Sequence, residues 1–166
     1  KGSVLQSDEE LYFRNLDGTA TQHREVFPED GVLRTIVGNG VHSYATVGLG
    51  ALDSALENPV DVAYGPDDEL YIAELHGMRI LRVDADQIIE PEAGIVGDQS
   101  FTGDGQDATT ARFNNPSSVT VDEAGVVYIA DSGNHCIRAI DPEGVVDTVA
   151  GTPLVPDLVD GVPGAL

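Results

Sequence analysis

Residues 115–151 decide the fold, and they read NPSSVTVDEAGVVYIADSGNHCIRAIDPEGVVDTVAG. Four short segments within this stretch are rich in β-branched residues, at 118–122, 126–130, 136–141 and 145–150. Glycine, asparagine, aspartate and proline separate these segments, which is typical of tight turns between strands. The stretch therefore predicts a four-stranded antiparallel sheet in which consecutive strands are neighbours.

The same pattern occurs earlier in the chain, at a constant offset without gaps. The segment LYIAE at 70–74 matches VYIAD at 127–131, and Asn58 matches Asn115 before a proline. A third, weaker copy begins still earlier, because ELYF at 10–13 matches ELYI at 69–72. A lone four-stranded sheet cannot cover both of its apolar faces, whereas sheets stacked around an axis can. The repeats therefore predict an all-β protein with the blades of a β-propeller.

We expect three four-stranded antiparallel blades in this chain, which is half of a six-bladed ring. Residues 1–38 form the first blade, whose first strand is partly cut, and residues 39–97 form a connector and the second blade. Residues 98–151 form a connector and the third blade, and residues 152–166 start a connector to a next blade. A single helical turn is expected within residues 105–113, and a similar sequence pattern indicates another at 50–56.

Composition excludes several classes of protein. The 166 residues carry 8 Lys and Arg against 29 Asp and Glu, for a formal net charge of −21. Phosphate recognition needs a basic surface, so we expect neither nucleic acid nor an anionic membrane as a partner. The lone cysteine, Cys136, excludes an internal disulfide and is expected to be a buried, inert thiol. We favour an extracellular or cell-surface location slightly over the cytoplasm.

The third copy is very similar to the repeat of the NHL-repeat β-propeller family, in its bacterial type. The similarity rests on the turn Asp131-x-x-Asn134-His135 and on the closing Thr-Val-Ala-Gly at 148–151. The second copy keeps only the acid of that turn, as Glu74. The resemblance implies six blades as the commonest closed ring. Three blades would then be completed either by a homodimer or by a longer polypeptide of which this chain is a fragment.

The resemblance also implies a non-catalytic binding or scaffold module whose rim loops contact a protein, peptide or glycan. Candidate contact residues lie in the connectors and in the turns between the second and third strands: Tyr44, His76, Phe101, Asp104, Asp131, Asn134 and His135. Asp131 and Asn134 also have a purely structural interpretation. In it, the acid accepts turn N–H groups and the asparagine adopts the left-handed conformation. No cofactor is expected.

Two alternatives stay open. One is a metal-dependent lyase or lactonase, with calcium held near the channel mouth by the weak candidates Asn58, Asp61 and Asn115. Against it, no histidine lies in a predicted innermost strand, and each asparagine can simply precede the proline that starts a strand. The other alternative is a structural spacer inside a larger surface protein.

Overall fold

The computed structural model describes residues 35–153 and, nearer the N-terminus, the backbone of three strands. These strands are β1 (Val4–Ser7), β2 (Glu10–Arg14) and β3 (Ala20–His23), and they form an antiparallel sheet in that order. The chain divides into two compact units, residues 1–35 and residues 36–166. Most of the loops predicted for the first blade, and most of the connector predicted at 152–166, lie outside the described residues.

The second repeat forms a four-stranded antiparallel meander, as the sequence predicts. Its strands are β4 (Pro59–Tyr64), β5 (Leu70–Glu74), β6 (Arg79–Val83) and β7 (Ile89–Ala93), and the spatial order follows the chain order. Pro59 opens the innermost strand, where a residue without an N–H group costs no ladder hydrogen bond.

The third repeat forms the same meander with one addition. Its strands are β8 (Gln106–Asp107), β9 (Pro116–Val121), β10 (Val127–Asp131), β11 (Cys136–Ile140) and β12 (Val145–Gly151). The spatial order is β8-β12-β11-β10-β9, so the connector contributes a short fifth strand beside the outermost one. The four predicted strands are confirmed to within two residues, whereas the fifth strand was not predicted.

Each connector is fixed to the outer strand of its own blade. In the third repeat, the N–H of Gly105 donates to the Val146 carbonyl and the N–H of Ala108 donates to the Gly144 carbonyl, both at 2.9 Å. The equivalent bonds in the second repeat run from Gly48 to Ile89 at 2.8 Å and from Ala51 to Gln87 at 2.7 Å. All four positions keep the offset that relates Asn58 to Asn115, so the structural repeat includes the connectors.

The two expected helical turns have different outcomes. A 3-10 turn at Ala108–Thr110 confirms the expectation for the third repeat. In the second repeat the chain makes a hydrogen-bonded turn that does not extend into a helix, in which Asp53 and Ser54 donate to the Gly50 carbonyl at 2.9 and 3.2 Å. Among the described residues, no helix has the length and apolar character to cross a membrane.

The second and third blades pack face to face. Four side chains of the second blade are at most 7% exposed and face the third blade: Tyr71, Ala73, Ile80 and Ala93. They meet apolar residues of the third connector and blade: Ala108, Ala111, Phe113, Val119, Val127, Ile129, Ile140 and Val146. The opposite face of the second blade forms another core with its own connector, around Leu70, Ile72, Leu81 and Ile89. This stacking of sheets is the packing of a β-propeller.

In the second and third repeats a glycine lies at the end of the outermost strand, because the chain there lies directly against the backbone of the turn before the third strand. Gly94 has φ 93°, and a Cβ at this position would lie 2.4 Å from the carbonyl oxygen of Met78. Gly151 has φ 86°, and its Cβ would lie 2.5 Å from the carbonyl oxygen of His135. Only glycine combines the positive φ with such a close approach.

Candidate binding rim

The turn between β10 and β11 carries the family motif, and two of its polar side chains point inward. Asp131 accepts a hydrogen bond from the Asn114 N–H at 2.7 Å. Asn134 Nδ2 donates to Asp131 Oδ2 at 2.8 Å and to the Ser100 carbonyl at 3.0 Å. Both side chains are fully buried. Burial raises the pKa of Asp131, and the hydrogen bonds from Asn134 and Asn114 oppose that rise. The geometry favours the structural interpretation of these two residues.

The left-handed residue of this turn is His135 and not Asn134, which corrects the sequence-based expectation. His135 has φ 58° and follows the 3-10 turn Ser132–Asn134. Met78 has φ 56° at the equivalent place in the second repeat. The reversal into the third strand therefore needs a left-handed residue at the end of the turn. The amide of Asn134 is used inside the molecule, while His135 is exposed.

A buried ion pair replaces this motif in the second repeat. Arg79 Nε donates to Glu74 Oε2 at 2.6 Å, and both side chains are buried. The other carboxylate oxygen of Glu74 accepts the Glu57 N–H at 2.7 Å. Arg79 Nη2 donates to the carbonyl of Ala45, in the connector, at 2.9 Å. The pair therefore fastens the connector to the blade.

A second buried arginine, Arg138, holds the connector of the third repeat. Its guanidinium lies 4.9 Å from the ring centroid of Phe101 and 4.7 Å from that of Phe113. Its Nη2 donates to Asp104 Oδ1 at 2.8 Å, and its Nη1 donates to the Arg112 carbonyl at 3.1 Å. Phe101 is half-buried in this stack, and Asp104 remains exposed although it is paired. Sequence reasoning missed Arg138, although strand alternation places it on the same side as the buried Cys136.

Three of the seven predicted contact residues present largely open side chains. Tyr44 is 50% exposed, the His76 side chain is 57% exposed, and His135 is exposed. His76 Nδ1 lies 3.4 Å from Asn58 Nδ2 and 3.9 Å from the Glu57 carboxylate. Tyr44 and His76 belong to the second repeat and His135 to the third. Their role in binding stays a prediction.

The weak calcium candidates have clear structural roles. Asp61 Oδ2 accepts hydrogen bonds from Ser118 Oγ at 2.6 Å and from the Val119 N–H at 3.0 Å, which joins the innermost strands of the two blades. Asn58 and Asn115 adopt left-handed conformations, with φ 48° and 51°. Within the described part of the chain, no three His, Cys, Asp or Glu side chains are placed to hold a metal ion. Calcium binding stays an untested prediction.

Cys136 lies in β11 with 6% of its surface exposed. Burial raises the pKa of its thiol to about 11, with a smaller contribution from the nearby Asp131 carboxylate. A thiol with such a pKa is almost entirely protonated at neutral pH. The expected buried position of this cysteine is confirmed.

Comparison with known proteins links the chain to NHL-repeat proteins. The family model of the teneurin NHL domain matches residues 89–155. Teneurin-m of Drosophila melanogaster is 34% identical over 127 residues, which cover 67% of this chain and 5% of the relative. NHL repeat-containing protein 2 of Gallus gallus is 23% identical over 139 residues, covering 76% of this chain and 18% of the relative. The chain thus spans only a small part of these relatives.

Solved structures give the same fold. A structural genomics protein of unknown function from Bacteroides thetaiotaomicron superposes with a TM-score of 0.60 at 24% identity. The match covers 93% of this chain and 36% of that one. A putative phosphatase from the same organism gives a TM-score of 0.50 at 18% identity, covering 86% of this chain and 41% of the other. The solved structures support the β-propeller fold, and the family model and the NHL-repeat relatives, together with the repeated motif, show that the chain belongs to the NHL-repeat family.

Proposed function

We propose that this protein is a non-catalytic binding or scaffold module that presents its rim loops to a protein, peptide or glycan. The observation that carries the proposal is the construction of the connectors. Both connectors are anchored by the same hydrogen bonds, at Gly48 and Ala51 in one repeat and at Gly105 and Ala108 in the other. The exposed side chains between these anchors differ. A fixed frame with variable exposed positions is the usual arrangement of a binding surface.

The second connector, residues 38–57, is held in one conformation by its own polar groups. Ser54, 1% exposed, accepts the Thr46 N–H at 2.9 Å through its hydroxyl oxygen. Its carbonyl accepts the Asn39 N–H at 2.9 Å, and the Gly38 N–H donates to the Ala51 carbonyl at 2.8 Å. A loop that is already ordered loses less conformational entropy when a partner binds. This organisation supports a binding role for the connector.

The charge of the molecule limits the proposed ligand. With a formal net charge of −21, the surface favours a cationic or hydroxyl-rich ligand over an anionic one. No cofactor is part of the proposal. We further propose that the module works outside the cell or at its surface, a placement that rests on the teneurin relatives.

An array experiment tests the proposed function. The labelled protein is applied to peptide, protein and glycan arrays, together with the variants Tyr44→Ala, His76→Ala and His135→Gly. Glycine suits the left-handed backbone at position 135, so the third variant should keep the fold. The expected result is binding to one class of ligand that at least one rim variant weakens while Glu123→Gln, in an exposed hairpin turn, does not. No binding to any class, or binding that all variants retain, would instead support the spacer alternative.

We also propose that the outward face of the third blade packs against a further blade. This face carries Tyr128, Ala130, Ile137 and Ala150, which are the same residue types as their repeat equivalents in the second blade, Tyr71, Ala73, Ile80 and Ala93. In the second blade those four are buried by the third, whereas Ile137 is 38% exposed and the other three are half-buried. The further blade comes either from a longer polypeptide or from a second copy of this chain.

Light scattering distinguishes the two sources. A second copy predicts a dimer that dissociates on dilution and that Ile137→Lys abolishes. A longer polypeptide predicts that this chain stays monomeric and that Ile137→Lys destabilises the longer protein. A monomer at every concentration, with no effect of Ile137→Lys on the stability of the longer protein, would contradict the proposal.

A further inference from the structure

The second connector exposes an unusual concentration of apolar side chains. Five of them lie between residues 41 and 52 with exposures of 41–57%: Val41, Tyr44, Val47, Leu49 and Leu52. Isolated exposed apolar residues are normal on protein surfaces, whereas a concentration of them marks an interaction surface. The question is whether packing within the propeller accounts for them.

The third repeat provides an internal reference for this question. Its anchoring bonds, at Gly105 and Ala108, align the two connectors, so Leu49 and Leu52 are equivalent to Gln106 and Thr109. Both of these residues are polar and exposed, although the second blade packs against the third. Contact with a neighbouring blade therefore does not cover these two positions. The need to stack blades does not explain why the second repeat has leucine at both.

The same comparison sets other exposed residues aside. Val62 is 57% exposed, but its counterpart Val119 is only 3% exposed where it packs against the second blade. Val47 is equivalent to Asp104, which pairs with Arg138. In the second repeat Leu81 occupies the position of that arginine. Val62 is therefore a position where blades pack in the third repeat, and Val47 is a position beside the buried arginine of that repeat, so we set both aside. We group Leu49 and Leu52 with the other exposed apolar residues of this connector, Val41 and Tyr44, and name these four the connector patch.

The charges around the connector patch define its partner. Residues 38–57 contain no lysine or arginine, and they contain the acids Asp53 and Glu57. This connector is hydrogen-bonded to Gln87 and Ile89, and the acids Asp86 and Glu90 flank that segment. Among the described residues, the exposed charges beside the connector, Asp53 and Asp86, are acidic, whereas Glu57 is largely buried and lies 2.9 Å from the exposed His42. Such a surface complements apolar side chains that are flanked by cations.

We propose that the connector patch is the docking site for a protein segment whose apolar side chains are flanked by lysine or arginine. This inference rests on the proposed binding function and names its partner. The ordered conformation of the connector supports it, because the patch needs no rearrangement to receive a segment.

Two synthetic peptides of equal length test the inference, one alternating leucine with lysine and one alternating leucine with glutamate. Binding to the labelled peptides is measured by fluorescence anisotropy at about 0.15 M salt, where exposed charges are largely screened. We expect the leucine–lysine peptide to bind, and the double variant Leu49→Gln/Leu52→Thr to weaken binding at least about tenfold. This variant introduces the residues that the third repeat has at the same positions, and it leaves the net charge unchanged.

A matched control removes an exposed apolar residue elsewhere. Val60, 42% exposed on β4, is equivalent to the exposed Ser117, so Val60→Ser makes the same kind of change away from the connector. Equal binding by the wild type and the double variant would overturn the inference, as would equal binding of the two peptides. A dimer that the double variant dissolves would also overturn it, because the patch would then receive a second copy of the chain. If the array binding still depends on His76 or His135, only this inference fails and the proposed function stands.

Discussion

Replacing Arg79 by leucine should destabilise the fold more than any surface change, because it leaves a carboxylate buried without its partner. Glu74 is fully buried and accepts from Arg79 Nε at 2.6 Å, and its remaining oxygen has only the Glu57 N–H. Breaking a buried pair from one side costs about 3–5 kcal/mol. We therefore expect Arg79→Leu to lower the free energy of unfolding by that amount, measured by urea denaturation, and to lower Tm by about 6–20 °C.

Arg82 supplies the matched control on the same strand. It is one-third exposed, and it lies 3.3 Å from the Glu92 carboxylate and 3.8 Å from that of Glu69. These pairs are partly buried, whereas Arg79 and Glu74 are buried on both sides, so Arg82→Leu should cost less than Arg79→Leu. A second variant, Glu74→Gln/Arg79→Leu, removes the buried charge and should recover much of the loss. The reasoning is wrong if Arg79→Leu costs no more than Arg82→Leu, or if the double variant is as unstable as the single one.

Three further perturbations test other parts of the fold. Asp61→Ala should lower the free energy of unfolding by about 1–3 kcal/mol in urea denaturation, because the Val119 N–H between the blades loses its acceptor. Calorimetry of the wild type with millimolar calcium tests the calcium hypothesis at the same residue. Gly94→Ala should destabilise the protein by more than Gly125→Ala, since both have positive φ but only the Cβ at 94 meets a backbone atom, and equal losses would contradict this. The pKa of the Cys136 thiol is about 11 in the folded protein and lower in the unfolded chain. Ionisation of this thiol should therefore lower the free energy of unfolding as the pH rises from about 9 to 11. An equal loss over this range in the Cys136→Ser variant would contradict the prediction.

The repeat itself could be predicted from the sequence because its signals are local. Turn residues and β-branched segments fix the strands within a copy, and in the third copy the strand ends differ from the predicted ones by at most two residues. Cys136 and Ile140 could be placed in the interior by strand alternation. The face-to-face packing follows from the apolar content of both faces of each sheet.

The candidate site could be predicted only in part, because burial of polar side chains depends on contacts between distant segments. Asp131 and Asn134 match the family motif, yet only the folded connector shows that their partners are the Asn114 N–H and the Ser100 carbonyl. Strand alternation places Arg138 on the buried face with Cys136, but it does not identify the partners of Arg138, which lie far upstream in the connector. Exposed loop residues carry no such network, and for that reason Tyr44 was identified by its place in a connector alone.

The second and third repeats fasten equivalent connectors to equivalent strands, but they use different side chains. The third repeat uses a buried arginine, Arg138, stacked between two phenylalanine rings and paired with Asp104. The second repeat has Leu81 and Val47 at these two positions, and it moves its buried arginine to Arg79, two residues earlier on the strand. The third repeat has an exposed acid on the connector beside its buried arginine, whereas the second repeat has a valine there that is 41% exposed. The polarity of the exposed rim at this position therefore differs between the two repeats. A propeller built from similar blades can in this way present different surfaces while each blade keeps the same four-stranded meander.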